Sequence, residues 1–95
     1  MTKKDAYVKM MKAQLDKWSA EIDKLQAEYE KTEAGLQIEY ADEIEKVQSL
    51  RTAAMKQFTE LKEAGENKWT EFKAGVDAAW NELGNAIKEA RDQIQ

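Results

Sequence analysis

The stretch from Phe58 to Ala90 reads FTELKEAGENK, WTEFKAGVDAA and WNELGNAIKEA, which are three successive units of 11 residues. A partial fourth unit, RDQIQ, begins at Arg91. Apolar or small residues recur in these units at spacings of 3, 4 and 4, or about 3.67 residues per helical turn. This period keeps an apolar stripe nearly straight, so the segment predicts an amphipathic helical packing face. We assign to this face Phe58, Leu61, Trp69, Phe72, Val76, Trp80, Leu83 and Ile87.

The N-terminal part of the chain follows a different period. Its apolar residues alternate at spacings of 3 and 4, the heptad pattern that imposes a left-handed supercoil on partner helices. The pattern predicts a helix-pairing seam that we expect to mediate self-association. Its members are Val8, Met11, Leu15, Trp18, Ile22, Leu25, Tyr29 and Leu36.

The composition predicts an all-α protein. The 95 residues are 36% charged and 8% aromatic, contain no proline, and nowhere alternate apolar with polar residues as strands do. We expect one helical coiled-coil unit over 1–95, with a heptad segment at 8–36 and an 11-residue-repeat segment at 47–95.

Thr2 followed by Asp5 predicts the start of the first helix, since a threonine cap and an acidic residue three positions later resemble a capping box. Gly35 is the one candidate for an early break, but a single glycine costs a helix only about 1 kcal/mol. The apolar phase also continues through it. We therefore expect a long helix over about 3–63.

A turn is predicted at 64–67. Gly65 is a residue type favoured just beyond helix C-termini, Lys62 lies in the preceding turn, and Asn67 can cap a following helix. A shorter helix over about 67–94 would follow, giving a helical hairpin. Because Gly65 also fits the 11-residue phase, the alternative is one continuous helix of about 90 residues.

In the hairpin, the short helix can cover only the adjacent half of the long one. The heptad stripe would then face water, and an apolar stripe of that length needs a partner. We therefore expect a homo-oligomer, a dimer or larger, with another helical protein as a further partner. Trp18 and Tyr29 are bulky for a tight two-stranded seam, which favours an antiparallel dimer or a bundle of three to four helices.

The residue types that carry most metal and nucleophilic chemistry are scarce. Histidine and cysteine are absent from the sequence, although zinc and transition-metal sites depend on them. The densest acidic patch is better interpreted as a solvated helix face than as a cation site; it comprises Glu39, Asp42, Glu43 and Glu45. We expect no enzymatic activity, no catalytic or metal-binding residues and no cofactor.

Charge and hydropathy limit the partners further. The net charge is −4 and no basic stripe exists, which argues against nucleic acid. The N-terminal residues form no apolar run like that of a secretory signal, so the expected location is the cytoplasm. Trp69 and Trp80 could anchor a lipid-bound helix, but the acidic polar face around them favours a core role and makes a membrane surface the weaker prediction.

Two resemblances extend this interpretation. WTEFKAGVDAA and WNELGNAIKEA resemble the 11-residue repeats of exchangeable apolipoproteins, which would imply reversible binding to lipid or granule surfaces. The whole chain resembles a group of small uncharacterised bacterial coiled-coil proteins, through the stretches YVKMMKAQLDKWSAEIDKLQ, IEYADEIEKVQSLR and GENKWTEFKAGVDAAWNEL. The leading expectation is a non-enzymatic, self-associating coiled-coil protein with a structural, scaffolding or interaction role. The alternative is an amphipathic-helix binder of lipid or granule surfaces.

Overall fold

Three helices make up the chain. The computed structural model describes residues 2–94, apart from the side chain of Ile94. Helix α1 spans Lys3–Glu30, α2 spans Ala34–Glu63 and α3 spans Trp69–Ile94. They run up, down and up in a bundle with principal extents of 51 × 19 × 17 Å. The all-α prediction is confirmed, and the alternative of a single helix of about 90 residues is not needed.

Helix α1 begins where the sequence predicted. The backbone N–H of Asp5 donates to Oγ1 of Thr2 at 3.1 Å, while the Asp5 carboxylate reaches back to the backbone N–H of Thr2. This reciprocal capping box satisfies donors that a helix N-terminus otherwise leaves unpaired.

The expectation of one helix over 3–63 is wrong, because the chain turns between α1 and α2. Lys31 closes α1 in a nearly helical conformation, and Glu33 is extended at φ −60° and ψ 148°. Side chains satisfy the C-terminal carbonyls of α1 at this point. The Thr32 hydroxyl donates to the Glu28 carbonyl at 2.8 Å, and Nε2 of Gln37 donates to the Tyr29 carbonyl at 3.2 Å. The turn lets α1 bury its apolar face against its own chain.

The second turn lies close to the predicted one. Helix α2 ends at Glu63, and the chain then swings out through Ala64, which is extended at φ −68° and ψ 148°. The backbone N–H groups of Lys68 and Trp69 donate to the Gly65 carbonyl as α3 begins. No residue between 2 and 94 has a positive φ, so Gly65 does not end α2 in the left-handed conformation typical of glycine caps.

The core runs the length of the bundle and is apolar. Every side chain classed as buried within 2–94 is hydrophobic. Side chains exposed by 2% or less come from all three helices, so each helix contributes to one continuous core. The buried set is Tyr7, Met11, Leu15, Ile22, Leu25, Ile44, Val47, Ala54, Phe58, Leu61, Val76, Trp80, Leu83, Ala86, Ile87 and Ala90.

Candidate functional site

The predicted self-association seam lies largely inside the bundle. Its eight members fall into three groups. Met11, Leu15, Ile22 and Leu25 are buried; Val8, Trp18 and Tyr29 are half-buried against the core; and Leu36 is 41% exposed. The expectation that this stripe faces water is wrong, because the turn at 31–33 folds α1 onto the other two helices. Burial of α1 therefore does not require a second chain.

The predicted C-terminal packing face is brought into the same core. Phe58, Leu61, Val76, Trp80, Leu83 and Ile87 are buried, Trp69 is half-buried, and Phe72 is 37% exposed. The turn at 64–68 separates Phe58 and Leu61 on α2 from the α3 members of this face. The heptad stripe and the 11-residue stripe therefore pack against each other within one chain.

Trp80 is the aromatic centre of the bundle. Its ring centroid lies 6.4 Å from that of Trp18 on α1 and 5.6 Å from that of Phe58 on α2. Its indole Nε1–H donates to the Met11 carbonyl at 3.2 Å, in a buried position. A Cβ added at Gly84 would lie 3.0 Å from Cζ2 of Trp18, so the absence of a side chain there makes room for the indole. The cluster fixes α1 relative to both other helices.

A second α1–α3 contact is polar. The Tyr7 hydroxyl donates to Oδ1 of Asp77 at 2.6 Å, and the Tyr7 ring lies 5.5 Å from Trp69. Nζ of Lys73 lies 5.6 Å from the Tyr7 ring centroid and 3.6 Å from Oδ2 of Asp77. Burial and then the Asp77 carboxylate raise the pKa of Tyr7 well above its ordinary value.

Sequence reasoning assigned Val8 to the seam and omitted Tyr7, yet Tyr7 is the more buried of the two. The available signal was spacing, because Tyr7 lies four residues before Met11 and eight before Leu15.

A shallow groove runs between α2 and α3. It has a volume of about 400 Å³ and is lined by Ala53, Lys56, Gln57, Glu60, Glu71, Phe72 and Gly75. The lining carries one positive charge, Lys56, and two negative charges, Glu60 and Glu71, so it does not favour a ligand of either charge.

Exposed and half-buried apolar side chains lie where α1 turns into α2. Ile38 is 79% exposed and Leu36 is 41% exposed, on the first two turns of α2. Tyr29 in the last turn of α1 and Tyr40 on α2 are half-buried. We call Tyr29, Leu36, Ile38 and Tyr40 the hinge surface.

Ile38 was missed by the sequence interpretation because it falls outside the 3,4 phase. Residues two apart project from a helix in different directions, so Leu36 and Ile38 cannot both face one narrow core. That spacing was the available signal for an exposed side chain.

The acidic patch on α2 does not assemble a metal site. Within the described part of the chain, no three histidine, cysteine, aspartate or glutamate side chains are grouped to hold an ion. Glu43 is half-buried, and its Oε2 has no hydrogen-bond partner among the described residues.

No helix in residues 2–94 combines the length and apolarity needed to cross a membrane. Comparisons with protein-family models, curated proteins and solved structures found no match for this chain.

Proposed function

We propose that this protein has a non-enzymatic structural or scaffolding role and acts by associating with copies of itself through the hinge surface. The observation that carries the proposal is the exposure of two aliphatic side chains on the first two turns of α2, Leu36 and Ile38, at one end of a bundle whose other apolar stripes are covered. Leaving apolar area in water costs about 25 cal/mol per Å² relative to burying it. Burial between two copies would recover this free energy.

The distribution of exposed apolar residues favours this end of the bundle. Met10, Met55 and Phe72 are also exposed, but each lies on a different helix. Scattered exposed apolar residues are ordinary on protein surfaces, whereas clusters mark interaction sites. Leu36 and Ile38 both lie on the first two turns of α2, so exposed aliphatic area is concentrated at this end of the bundle, although the two side chains project in different directions.

Charges of both signs lie beside the hinge surface, one lysine among several carboxylates. Lys31 and Glu33 are exposed and flank the turn beside this surface. In a twofold dimer, the same patch of each copy contacts the other. In such a dimer, Lys31 of one copy can lie near a carboxylate of the other.

The interior supports a role without catalysis. Catalytic acids and bases are tuned by burial and by neighbouring charges in a cleft. In the described residues, the buried side chains are hydrophobic, and the group with a strongly raised pKa is Tyr7, which joins α1 to α3. This environment stabilises the bundle and offers no arrangement of reacting groups.

Lipid binding through α3 would require the bundle to open. The α3 residues that would enter a lipid surface include Val76, Trp80, Leu83 and Ile87, and all four are buried in the bundle. Tryptophan emission with and without anionic vesicles distinguishes the two functions. A protein that keeps the folded bundle predicts blue-shifted tryptophan emission in buffer that lipid leaves unchanged, whereas the emission of a lipid binder shifts further on vesicle addition.

Sedimentation equilibrium tests the proposal directly. We expect concentration-dependent association of the unsubstituted protein, weakened at least about tenfold in Ile38→Glu because two isoleucines leave the interface of each dimer. Met55→Glu is the matched control, since Met55 is 50% exposed on the same helix and away from the hinge surface. A monomer at every concentration would refute self-association. If both substitutions weakened the association equally, the interface would not lie at the hinge surface.

A further inference from the structure

We propose that two copies of this chain associate by exchanging α1, with the turn at Lys31–Glu33 straightening into helix. The inference rests on the proposed self-association and names its mechanism. In the exchanged form, α1 and α2 make one long helix, α3 remains folded against α2, and α1 of each copy occupies the α1 position of the other. Leu36 and Ile38 of both copies then lie near the centre of the assembly.

The conformation of the turn makes straightening a small change. Lys31 is already close to helical, at φ −85° and ψ −9°. Glu33 has the φ of a helix, −60°, and departs from one by its ψ of 148°. Neither proline nor a positive-φ residue fixes the turn between α1 and α2. Lys31 and Glu33 therefore reach helical conformation mainly by rotation about ψ of Glu33.

The apolar pattern does not stop at the turn. Leu25, Tyr29, Thr32 and Leu36 continue the spacings of 4, 3 and 4 from α1 into α2. In the hairpin, the part of this pattern beyond the turn is not buried, and Leu36 remains 41% exposed. In a straight helix, Leu36 shares the face of Leu25 and Tyr29, where a partner chain can cover it.

The contacts that hold the turn are few. Thr32 and Gln37 supply side-chain hydrogen bonds to carbonyls at the end of α1, and the bond from Gln37 to the Glu30 carbonyl is exposed to water. Glu33, which caps α2, makes no side-chain capping hydrogen bond. Straightening replaces these contacts with regular backbone bonds of an α-helix.

The contacts of α1 survive the exchange. Tyr7 binds Asp77, and the Met11 carbonyl accepts from Trp80; both join α1 to α3 across about 70 residues of sequence. In the exchanged dimer, the same bonds form between chains. Domain exchange of this kind is a low-cost route to dimers because the new contacts are confined to the hinge.

Ala34→Pro tests the hinge. Ala34 is the first residue of α2, a position that proline favours, and Glu33 before it already has the extended conformation that a following proline requires. Proline at this position is compatible with the hairpin and breaks a continuous helix. We expect Ala34→Pro to retain the helical content and thermal midpoint of the bundle and to abolish the dimer at concentrations where the unsubstituted protein dimerises.

A variant with the opposite effect and a matched control complete the series. The triple substitution Lys31→Ala, Thr32→Ala and Glu33→Ala removes the Thr32 bond and places strong helix formers in the hinge, so it should tighten dimerisation about tenfold or more. Gly35→Ala is the control. A side chain there meets open space, and Gly35 is helical in both forms, so the dimerisation constant should not change.

Cross-linking identifies which chain supplies α1. Arg51 on α2 pairs with Asp23 on α1 at 3.6 Å, and the sequence has no cysteine. In the variant carrying Asp23→Cys and Arg51→Cys, a short bis-maleimide reagent should link two chains in the dimer fraction and one chain with itself in the monomer fraction. A denaturing gel separates these products.

The exchange would be established by two results: cross-links between chains in the dimer, and loss of the dimer in Ala34→Pro. A dimer that survives Ala34→Pro and carries links within single chains would overturn the exchange while leaving self-association intact. Monomers at every concentration, even in the triple-alanine variant, would refute both proposals.

Discussion

The contact between α2 and α3 differs from the contact between α1 and α3 in the size of the side chains that form it. Close approaches between Cα atoms are concentrated between α2 and α3, whose buried residues include Ala54, Ala86 and Ala90. Small side chains let helix backbones approach closely. In contrast, α1 is attached to α3 by large aromatic rings, including Trp18 packed on Trp80, and by hydrogen bonds that Tyr7 and the Met11 carbonyl make.

The two parts of the bundle are therefore stabilised in different ways. The α2–α3 hairpin is a closely packed unit formed by segments adjacent in sequence. Helix α1 contributes side chains that fill the remaining surface of that unit, and its polar contacts fix its position. Substitutions should therefore affect the two regions in opposite ways: removal of volume should damage the α1 attachment, and addition of volume should damage the α2–α3 pair.

The largest expected effect is at the attachment of α1. Trp80→Ala should lower the free energy of unfolding by about 3–5 kcal/mol, because a buried indole and its packing against both neighbouring helices are lost. Urea denaturation followed by circular dichroism measures the change. Phe72→Ala, at a 37% exposed position on the same helix, should cost roughly 1 kcal/mol or less. Similar losses from both would show that Trp80 does not hold the bundle together.

A smaller effect is expected from adding volume between α2 and α3. Ala54 is fully buried and its neighbour Ala53 is exposed. Ala54→Leu should destabilise the fold by about 1–3 kcal/mol through overpacking, whereas Ala53→Leu should change stability by less than about 0.5 kcal/mol. Thermal unfolding of the two variants compares them directly. If Ala54→Leu unfolds at the same temperature as the original protein, the pair is not closely packed.

The smallest effect concerns the polar anchor of α1. Tyr7→Phe removes one hydrogen bond to Asp77 and should cost about 1 kcal/mol at neutral pH.

The same substitution should also change how stability depends on pH. The folded state raises the pKa of Tyr7, so the unfolded chain releases this proton first as the pH increases. The contribution of neutral Tyr7 is fully present below about pH 10, the ordinary tyrosine pKa, and declines above it. Urea midpoints measured between pH 8 and pH 11 should therefore fall less steeply in Tyr7→Phe than in the original protein. Parallel curves would contradict the assigned role of burial and Asp77.

Periodicity and capping residues were enough to predict much of the fold. Thr2 and Asp5 marked the first helix start, and Gly65 lay in the turn that precedes α3. The apolar residues of both stripes were identified from spacing alone, because burial on a helix repeats every three or four residues. Phe72 departed from its stripe and is 37% exposed beside the α2–α3 groove.

The turn at 31–33 could not be predicted in the same way. Its stabilising contacts are side-chain hydrogen bonds from Thr32 and Gln37 to backbone carbonyls, and neither residue is a strong helix breaker. The apolar period crosses this turn without interruption, so local sequence favours continuation while packing of the whole chain favours a reversal. The exposure of Leu36, which the sequence assigned to the buried seam, follows from that reversal.

The hydrogen bond from Trp80 to the Met11 carbonyl has a consequence for the order of events during synthesis. It joins residues 69 positions apart, and at about 5–20 residues per second a ribosome needs roughly 3–14 s to make the intervening chain. Once Glu30 has been added, α1 is complete but Trp80 has not yet been made. Helix α1 is therefore complete before the two helices that cover it exist.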